Sequence, residues 1–405
     1  MLSFLNLLKP PGERPHAAPP RSGRTERKAH ICFVAPGAWP VLSGAEDLKF
    51  VGGAEVQQCT LARAFCGNGH RVSMITLDHG QPEGIEVNGV VCHTAHAPTA
   101  GLPVVRFLHP RLTSVWRALR RVDADIYYVR SASMLTAVVA AFCRHYGKKW
   151  LYAGASSTDF LPGEQRIRYA RDRWLFEYGL RRADAIVVQN AMQYASCLAH
   201  YARQATVIPS CYAAPPRASA DRAGGILWVS NLSEVKQPQL CIDLARRLPH
   251  RRFVMIGGPG GSDAANLKRF RSIERQAREL PNVRFLGFVP PAMAETHFSQ
   301  ARVLLNTSRA EGFPNTFLQA WARGVPAVAF VDTGSREGGE PVYKIVPSLA
   351  QAQAELEKLM SDDVHWKQAS DRCRRHFAAN HSVAAATARY SALFRDLLIG
   401  HEARS

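Results

Sequence analysis

HICFVAP at residues 30–36, GGAEVQQCTLARAFCGNGH at 52–70 and RVSMITL at 71–77 are the stretches from which the architecture is read. The first and third are short runs of apolar and β-branched residues; the second opens on two glycines and continues as a helix stopped by Gly69. Strand, Gly-containing loop, helix, strand is a βαβ unit, and such units build parallel sheets. Working outward, the alternation continues, with strands expected at Val90–His93, Ile126–Val129, Trp150–Ala153, Ala185–Gln189 and Thr206–Pro209, the last two after an Arg-rich helix. Residues 30–210 are therefore expected to form one doubly wound α/β domain.

Cys211–Gly225 (CYAAPPRASADRAGG) is rich in Ala, Pro, Gly and Ser and separates two βα series, as an interdomain linker would. The second series, over 226–380, runs GILWVSNL, a helix through Gln239–Leu248, RFVMIGG, a helix through Ala264–Leu280, VRFLGFV, a short helix, ARVLLNTS, a helix from about Asn315, and PAVAFV. That pattern predicts a second doubly wound domain. Leu349–Leu398 is helical in pattern, and its final segment is long enough to leave its own domain and pack on another. Residues 1–29 form a basic, Pro-rich tail expected to be disordered.

Composition bounds the function classes. With 405 residues, 46% hydrophobic and 21% charged, the chain has the balance of a soluble globular protein. No apolar run reaches the roughly 18 residues that span a bilayer, so an integral membrane protein is not expected. A formal net charge of +18 predicts attraction to something anionic: nucleic acid, a membrane surface or a phosphorylated substrate. The excess is regional, because residues 100–182 hold 15 Lys and Arg against 6 Asp and Glu. Two helices expected there, Arg106–Arg121 and Gln165–Arg182, interleave Arg with Trp116, Trp174, Phe and Leu. They suit an anionic membrane surface, and equally a packing helix with a solvated basic face. Specific nucleic-acid binding rests on charge alone, with no module for reading bases. Nine cysteines without a Cys-x-x-Cys pair look like small buried hydrophobes, and with no fitting secretory signal they point to the cytoplasm.

Two doubly wound domains joined by a linker place a cleft between the carboxyl ends of their sheets, where open α/β folds bind ligands. Gly52 and Gly53 open a helix at that end of the first domain, so their amides could face a phosphate, although a tight turn would require glycine for backbone reasons alone. In the second domain the informative stretch is SRAEGFPNTFLQAWARGVP, residues 308–326. Pro314 is suited to an early helix position, and the free amides of that helix start make an anion site. Glu311 in the loop and Gln319 further along can bring two polar heads to one ligand. Asp123-Ala124-Asp125 precedes a strand instead of following one, and no metal site is expected.

This stretch and the two-domain layout resemble the retaining glycosyltransferases of family four, whose signature is a Glu, seven residues and a second Glu in an EGFP-like string. The resemblance extends over roughly residues 30–399 and includes GGAE (52–55), GNGHRV (67–72), ADAIVVQN (183–190), WVSNLSEVKQP (228–238) and FLGFVP (285–290). It implies the GT-B fold, a nucleotide-diphosphate sugar as donor in the C-terminal domain, a saccharide or lipid-linked acceptor in the N-terminal one, and a last helix, within 381–405, crossing back to the first domain. The implied activity is metal-independent, retaining sugar transfer in polysaccharide or glycolipid biosynthesis, by a cytoplasmic protein that could sit peripherally on the membrane. Position by position, Glu311 resembles the residue that binds donor-sugar hydroxyls and Lys236 the cation at the leaving diphosphate. The amides of Gly312, Phe313, Asn315 and Thr316 would meet the sugar or diphosphate. The family pattern is broken at three places. Asn231 stands where an Arg is usual, Gln319 replaces the second Glu at the ribose, and the loop GASSTD (154–159) has no histidine where relatives carry one; there Asp159 or Ser156 is expected to touch acceptor or donor sugar, the alternative being ordinary loop and N-cap use. Gln319→Glu is expected to be tolerated. The Asn231 and Gln319 changes also keep a GT-B epimerase or a non-catalytic nucleotide-sugar-binding protein as the alternative.

Overall fold

The computed structural model describes residues 28–44, 52–101, 111–215, 224–311 and 313–402. The tail to residue 27, linker residues 216–223, residues 106–110 of the first basic stretch, and Gly312 lie outside them.

The first domain is an eight-stranded sheet in the order β3-β4-β2-β1-β5-β6-β7-β8. Its strands are β1 (His30–Val34), β2 (Arg71–Thr76), β3 (Glu86–Val87), β4 (Val90–Thr94), β5 (Ile126–Arg130), β6 (Lys149–Ala153), β7 (Ala185–Val188) and β8 (Thr206–Val207). All pairings are parallel except β3 with β4. Helices α1 (Trp39–Ser43), α2 (Gly53–Gly67), α3 (Thr113–Val122), α4 (Leu135–Tyr146), α5 (Ala170–Leu180) and α6 (Ala191–Tyr201) connect them. Every residue of β1 is buried because a strand between two helical layers has no wet face. Ile31 and Phe33 enter the core beneath α2, with Leu61 and Phe65, whereas Cys32 and Val34 enter the opposite core, with Leu119, Phe142, Trp150 and Phe176.

The second domain repeats the design with six parallel strands in the order β11-β10-β9-β12-β13-β16. These are β9 (Ile226–Val229), β10 (Phe253–Ile256), β11 (Val283–Phe285), β12 (Val303–Asn306), β13 (Ala327–Ala329) and β16 (Lys344–Ile345), with a small hairpin of β14 (Arg336–Glu337) and β15 (Glu340–Pro341). Its helices are α7 (Pro238–Arg247), α8 (Ala264–Arg278), α9 (Pro291–Ser299), α10 (Asn315–Ala322), α11 (Leu349–Ser361) and α12 (Asp363–Asn380). The doubly wound α/β class expected for both halves is what the chain adopts.

Helix α13 (Val383–Glu402) returns to the first domain, where Ala386, Tyr390 and Phe394, spaced four apart on one face, join the core of Phe33 and Phe65. The two crossings between domains lie side by side. Tyr212 N–H donates to the His381 carbonyl, His381 Nδ1–H donates to the Ser210 carbonyl at 2.7 Å, and Tyr212 and Ser382 form a parallel β-bridge. Gln57 of α2 clamps the Cys211 backbone from both sides, its amide donating to the carbonyl and accepting from the N–H.

Two local expectations are corrected. The basic helix begins at Ala170, not near Gln165, because Gln165 turns inward to donate to the Tyr201 hydroxyl and Tyr169 is extended. Pro314 is not inside α10 but caps it, with extended backbone.

Candidate active site

A cleft of about 610 Å³ opens at the carboxyl ends of the second sheet, facing the start of α2. Its size is that of a small-molecule site. Among the residues lining it, Lys236 and Glu311 are the charged ones.

Lys236 ends a single 3₁₀ turn, Glu234–Lys236, after which Gln237 takes a left-handed conformation and Pro238 starts α7. That turn is tied to the loop after β12: Arg309 N–H donates to the Val235 carbonyl, and Thr307 Oγ1–H donates to the Lys236 carbonyl while accepting from Trp228 Nε1–H. The two loops are therefore joined by hydrogen bonds at two points. Lys236 Nζ lies 2.5 Å from Glu311 Oε1, which also accepts from Ser308 Oγ at 2.6 Å. Both side chains are mostly buried, so the pair is a charge-assisted contact in low dielectric, with geometry set by backbone ties. Glu311 Oε2 has no protein partner among the described residues.

Phe313, Asn315, Thr316 and Gln319 line the same cleft, and α10 points its amino end into it. Phe313 stacks on His381 with ring centroids 4.8 Å apart, which links the loop before α10 to the crossing between domains. Burial holds His381 neutral, its value pulled down to about 3. Asn231 also lines the cleft, its Oδ1 accepting from Ser233 N–H, so position 231 adds no charge. Gly53 faces across from the first domain: a Cβ there would lie 3.0 Å from Asn315 Nδ2. Gly52 does not line the cleft; the Glu55 carboxylate of its own helix folds over it. Gly312 is outside the described residues.

Asp159 does not join the site. It is 4% exposed and closes a capping box at the 3₁₀ turn Ser157–Phe160, where one carboxylate oxygen accepts from the Tyr152 hydroxyl and from the amides of Ala155 and Ser156. Desolvation raises its pKa against the pull of these donors. An Asp at the third position after a capping Ser carries this signature in the sequence itself.

Gln319 Nε2–H donates to Glu295 Oε1 of α9 at 2.8 Å, and Glu295 Oε2 pairs with Arg323 at 2.5 Å. A Glu at 319 would thus face a carboxylate, which corrects the expectation that Gln319→Glu is tolerated. Glu295 carries no motif and was not singled out from the sequence; neither was the loop Gly257–Gly261, which walls the cleft beside Phe288. The glycines there follow from contact: a Cβ on Gly257 would strike the Ser230 carbonyl and one on Gly260 would strike Ser233.

The aromatic residues of the basic face part company. Trp116 packs on Phe142 and Tyr146, whereas Trp174 is 63% and Tyr169 54% exposed, with Arg168 over Tyr169 and Arg182 over Tyr178. Among the described residues no helix is long and apolar enough to cross a membrane.

Residues 51–212 match the family model described as Glycosyltransferase Family 4, and residues 223–362 that described as Glycosyl transferases group 1. The D-inositol 3-phosphate glycosyltransferase of Corynebacterium diphtheriae is 29% identical over 185 residues, 42% of this chain and 42% of that protein. Its namesake from Mycobacterium leprae is 31% identical over 120 residues, 29% of this chain and 26% of that one. The matches thus span less than half the length of these curated relatives. Sucrose-phosphate synthase from Thermosynechococcus elongatus superposes with a TM-score of 0.70 at 17% identity over 92% of this chain and 100% of that one. Anabaena HepE in complex with UDP and glucose gives 0.66 at 13% over 91% and 100%. The shared fold is GT-B.

Proposed function

We propose, from the match of residues 51–212 and 223–362 to glycosyltransferase family models and from the GT-B fold, a retaining transferase that moves a sugar from a nucleotide-diphosphate sugar to a saccharide or lipid-linked acceptor in polysaccharide or glycolipid biosynthesis. The observation that carries this is the Lys236–Glu311 pair held at the amino end of α10, inside a cleft faced by the other domain.

The second domain holds the donor and the first the acceptor. The bond from the anomeric carbon to the diphosphate oxygen breaks while the acceptor hydroxyl oxygen bonds to that carbon on the same face, the hydroxyl proton passes to the departing phosphate oxygen, and the Lys236 ammonium is fixed where it can meet the negative charge that grows there. Glu311 has Oε2 to offer the donor-sugar hydroxyls. The amides of Phe313, Asn315 and Thr316 face the diphosphate at the positive end of α10, and Gln319 faces the ribose. Transfer in this form needs no metal. Complexes of HepE with UDP and glucose, and with UDP-glucose, support a nucleotide sugar as the donor class. The exposed Trp174 and Tyr169, set among arginines, support contact with an anionic membrane from the cytoplasmic side.

The test is a thermal-shift panel of uridine, guanosine and adenosine diphosphate sugars, followed by transfer from whichever donor raises the Tm. Stabilisation by one class, then release of nucleoside diphosphate with a retained anomeric configuration, is expected. Binding without transfer would select the epimerase or binding-protein alternative, which the neutral Asn231 favours. Stabilisation by no nucleotide sugar would overturn the proposal.

A further inference from the structure

Gln319 sits where the family pattern has a carboxylate, and its surroundings explain why an amide stands there. Its Nε2–H donates to Glu295 Oε1, so its Oε1 is the atom left to offer to the cleft that the residue lines. Glu295 is itself held: Oε2 accepts from Arg323 at 2.5 Å and from the Tyr212 hydroxyl at 2.6 Å. Arg323, 1% exposed, is fixed in turn by donating to Ser299 Oγ and to the Gln319 backbone carbonyl, while Arg374 of α12 donates to the carbonyl of Arg323. Glu295 and Arg323 are thus each held by several partners, so a second negative charge at position 319 would meet a carboxylate already tied in place.

We propose that Glu295 is a positioning residue that imposes an amide at position 319: it locks Gln319 Nε2 as donor and presents Oε1 as an acceptor to a ligand hydroxyl in the cleft. This rests on the donor-site assignment above. The Glu residue usual in the family is then replaced by two residues on different helices, a carboxylate that orients and an amide that binds. The arrangement selects a hydrogen-bond donor on the ligand, because Oε1 can only accept, and it holds the charge back from the ligand.

The experiment uses Gln319→Glu and Gln319→Met in the full chain, at about pH 8 and about pH 5.5, on either side of the range where two facing carboxyls share one proton. The groups facing position 319 are Glu295, Arg323 and Tyr212, with Arg374 behind Arg323; His297, the nearest histidine on α9, lies toward Arg284. In Gln319→Glu the Glu295 carboxylate repels the charged form of the new carboxyl, which raises that group's pKa in the folded protein. Stability is therefore kept at low pH and lost as pH rises through that raised value. Denaturant unfolding without ligand is expected to show Gln319→Glu clearly below wild type at the higher pH and close to it at the lower. Gln319→Met should show a gap that does not depend on pH. With UDP-glucose as probe, Gln319→Glu should bind at least about tenfold more weakly than wild type at the higher pH and within about threefold at the lower, whereas Gln319→Met is weakened equally at both. A Gln319→Glu protein as stable and as tight as wild type at the higher pH overturns the proposal. Failure of wild type to bind UDP-glucose counts against the donor-site assignment for that nucleotide sugar, and the unfolding measurement still decides the role of Glu295.

Discussion

At the scale of single residues the site rests on a pair whose members are 75 positions apart in sequence but 2.5 Å apart in space. Removing either leaves the other as a poorly solvated, uncompensated charge, so their effects cannot be independent. We expect Lys236→Ala and Glu311→Gln each to lower turnover by about 100-fold or more, with the double variant no worse than the poorer single one. Steady-state kinetics of the four proteins at saturating donor and acceptor measure this; additive losses would mean the pair does not act as a unit. Glu311 was legible in the sequence because a loop acid followed by Gly, Phe and a helix-starting Pro places it without help from elsewhere. Glu295 was not legible, since its role comes from packing α9 beside α10, a relation no local pattern encodes.

Between residues and domains lies the element, and the turn at Ser157–Phe160 shows how an element can claim a residue that position alone assigns to chemistry. Asp159 follows a strand at the carboxyl edge of the first sheet, where catalytic groups gather, but the Ser156 box and the Tyr152 hydroxyl consume its oxygen. Asp159→Asn should therefore destabilise the first domain by about 1–3 kcal/mol, because a donor replaces one face of a buried acceptor. Donor affinity of the folded fraction should stay at the wild-type level. Denaturant unfolding and calorimetric titration check the two halves, and unchanged stability with lost transfer would return Asp159 to the site. Strands and helices were readable from apolar runs and glycine stops, as β1, α2 and β2 illustrate. The start of α5 was not, because its five preceding residues are helix-compatible and tertiary contacts, among them that of Gln165 with Tyr201, hold them outside the helix.

For the whole molecule, the two crossings between domains act as one joint, with His381 at its centre. Its neutral ring titrates near 3 when folded and near 6.5 when free. The unfolded chain thus takes up a proton first as pH falls, so stability is full above the free value and declines below it. Between neutral pH and pH 5 this group should remove about 2 kcal/mol. His381→Asn, which can still donate to Ser210, should lessen the acid loss by that amount, as measured by denaturant unfolding at the two pH values. The net charge of +18 and the exposed Trp174 predict flotation with anionic vesicles but not neutral ones, weakened by Trp174→Ala and by salt. Equal recovery on both lipids would remove the membrane role. The return of α13 bears on how the chain matures during synthesis. The first domain draws Ala386, Tyr390 and Phe394 into its core, whereas the second is complete by Asn380. On the ribosome, then, the domain begun second can finish first, and the nascent N-terminal half must wait, its α2 core exposed to chaperones, until translation reaches the last helix.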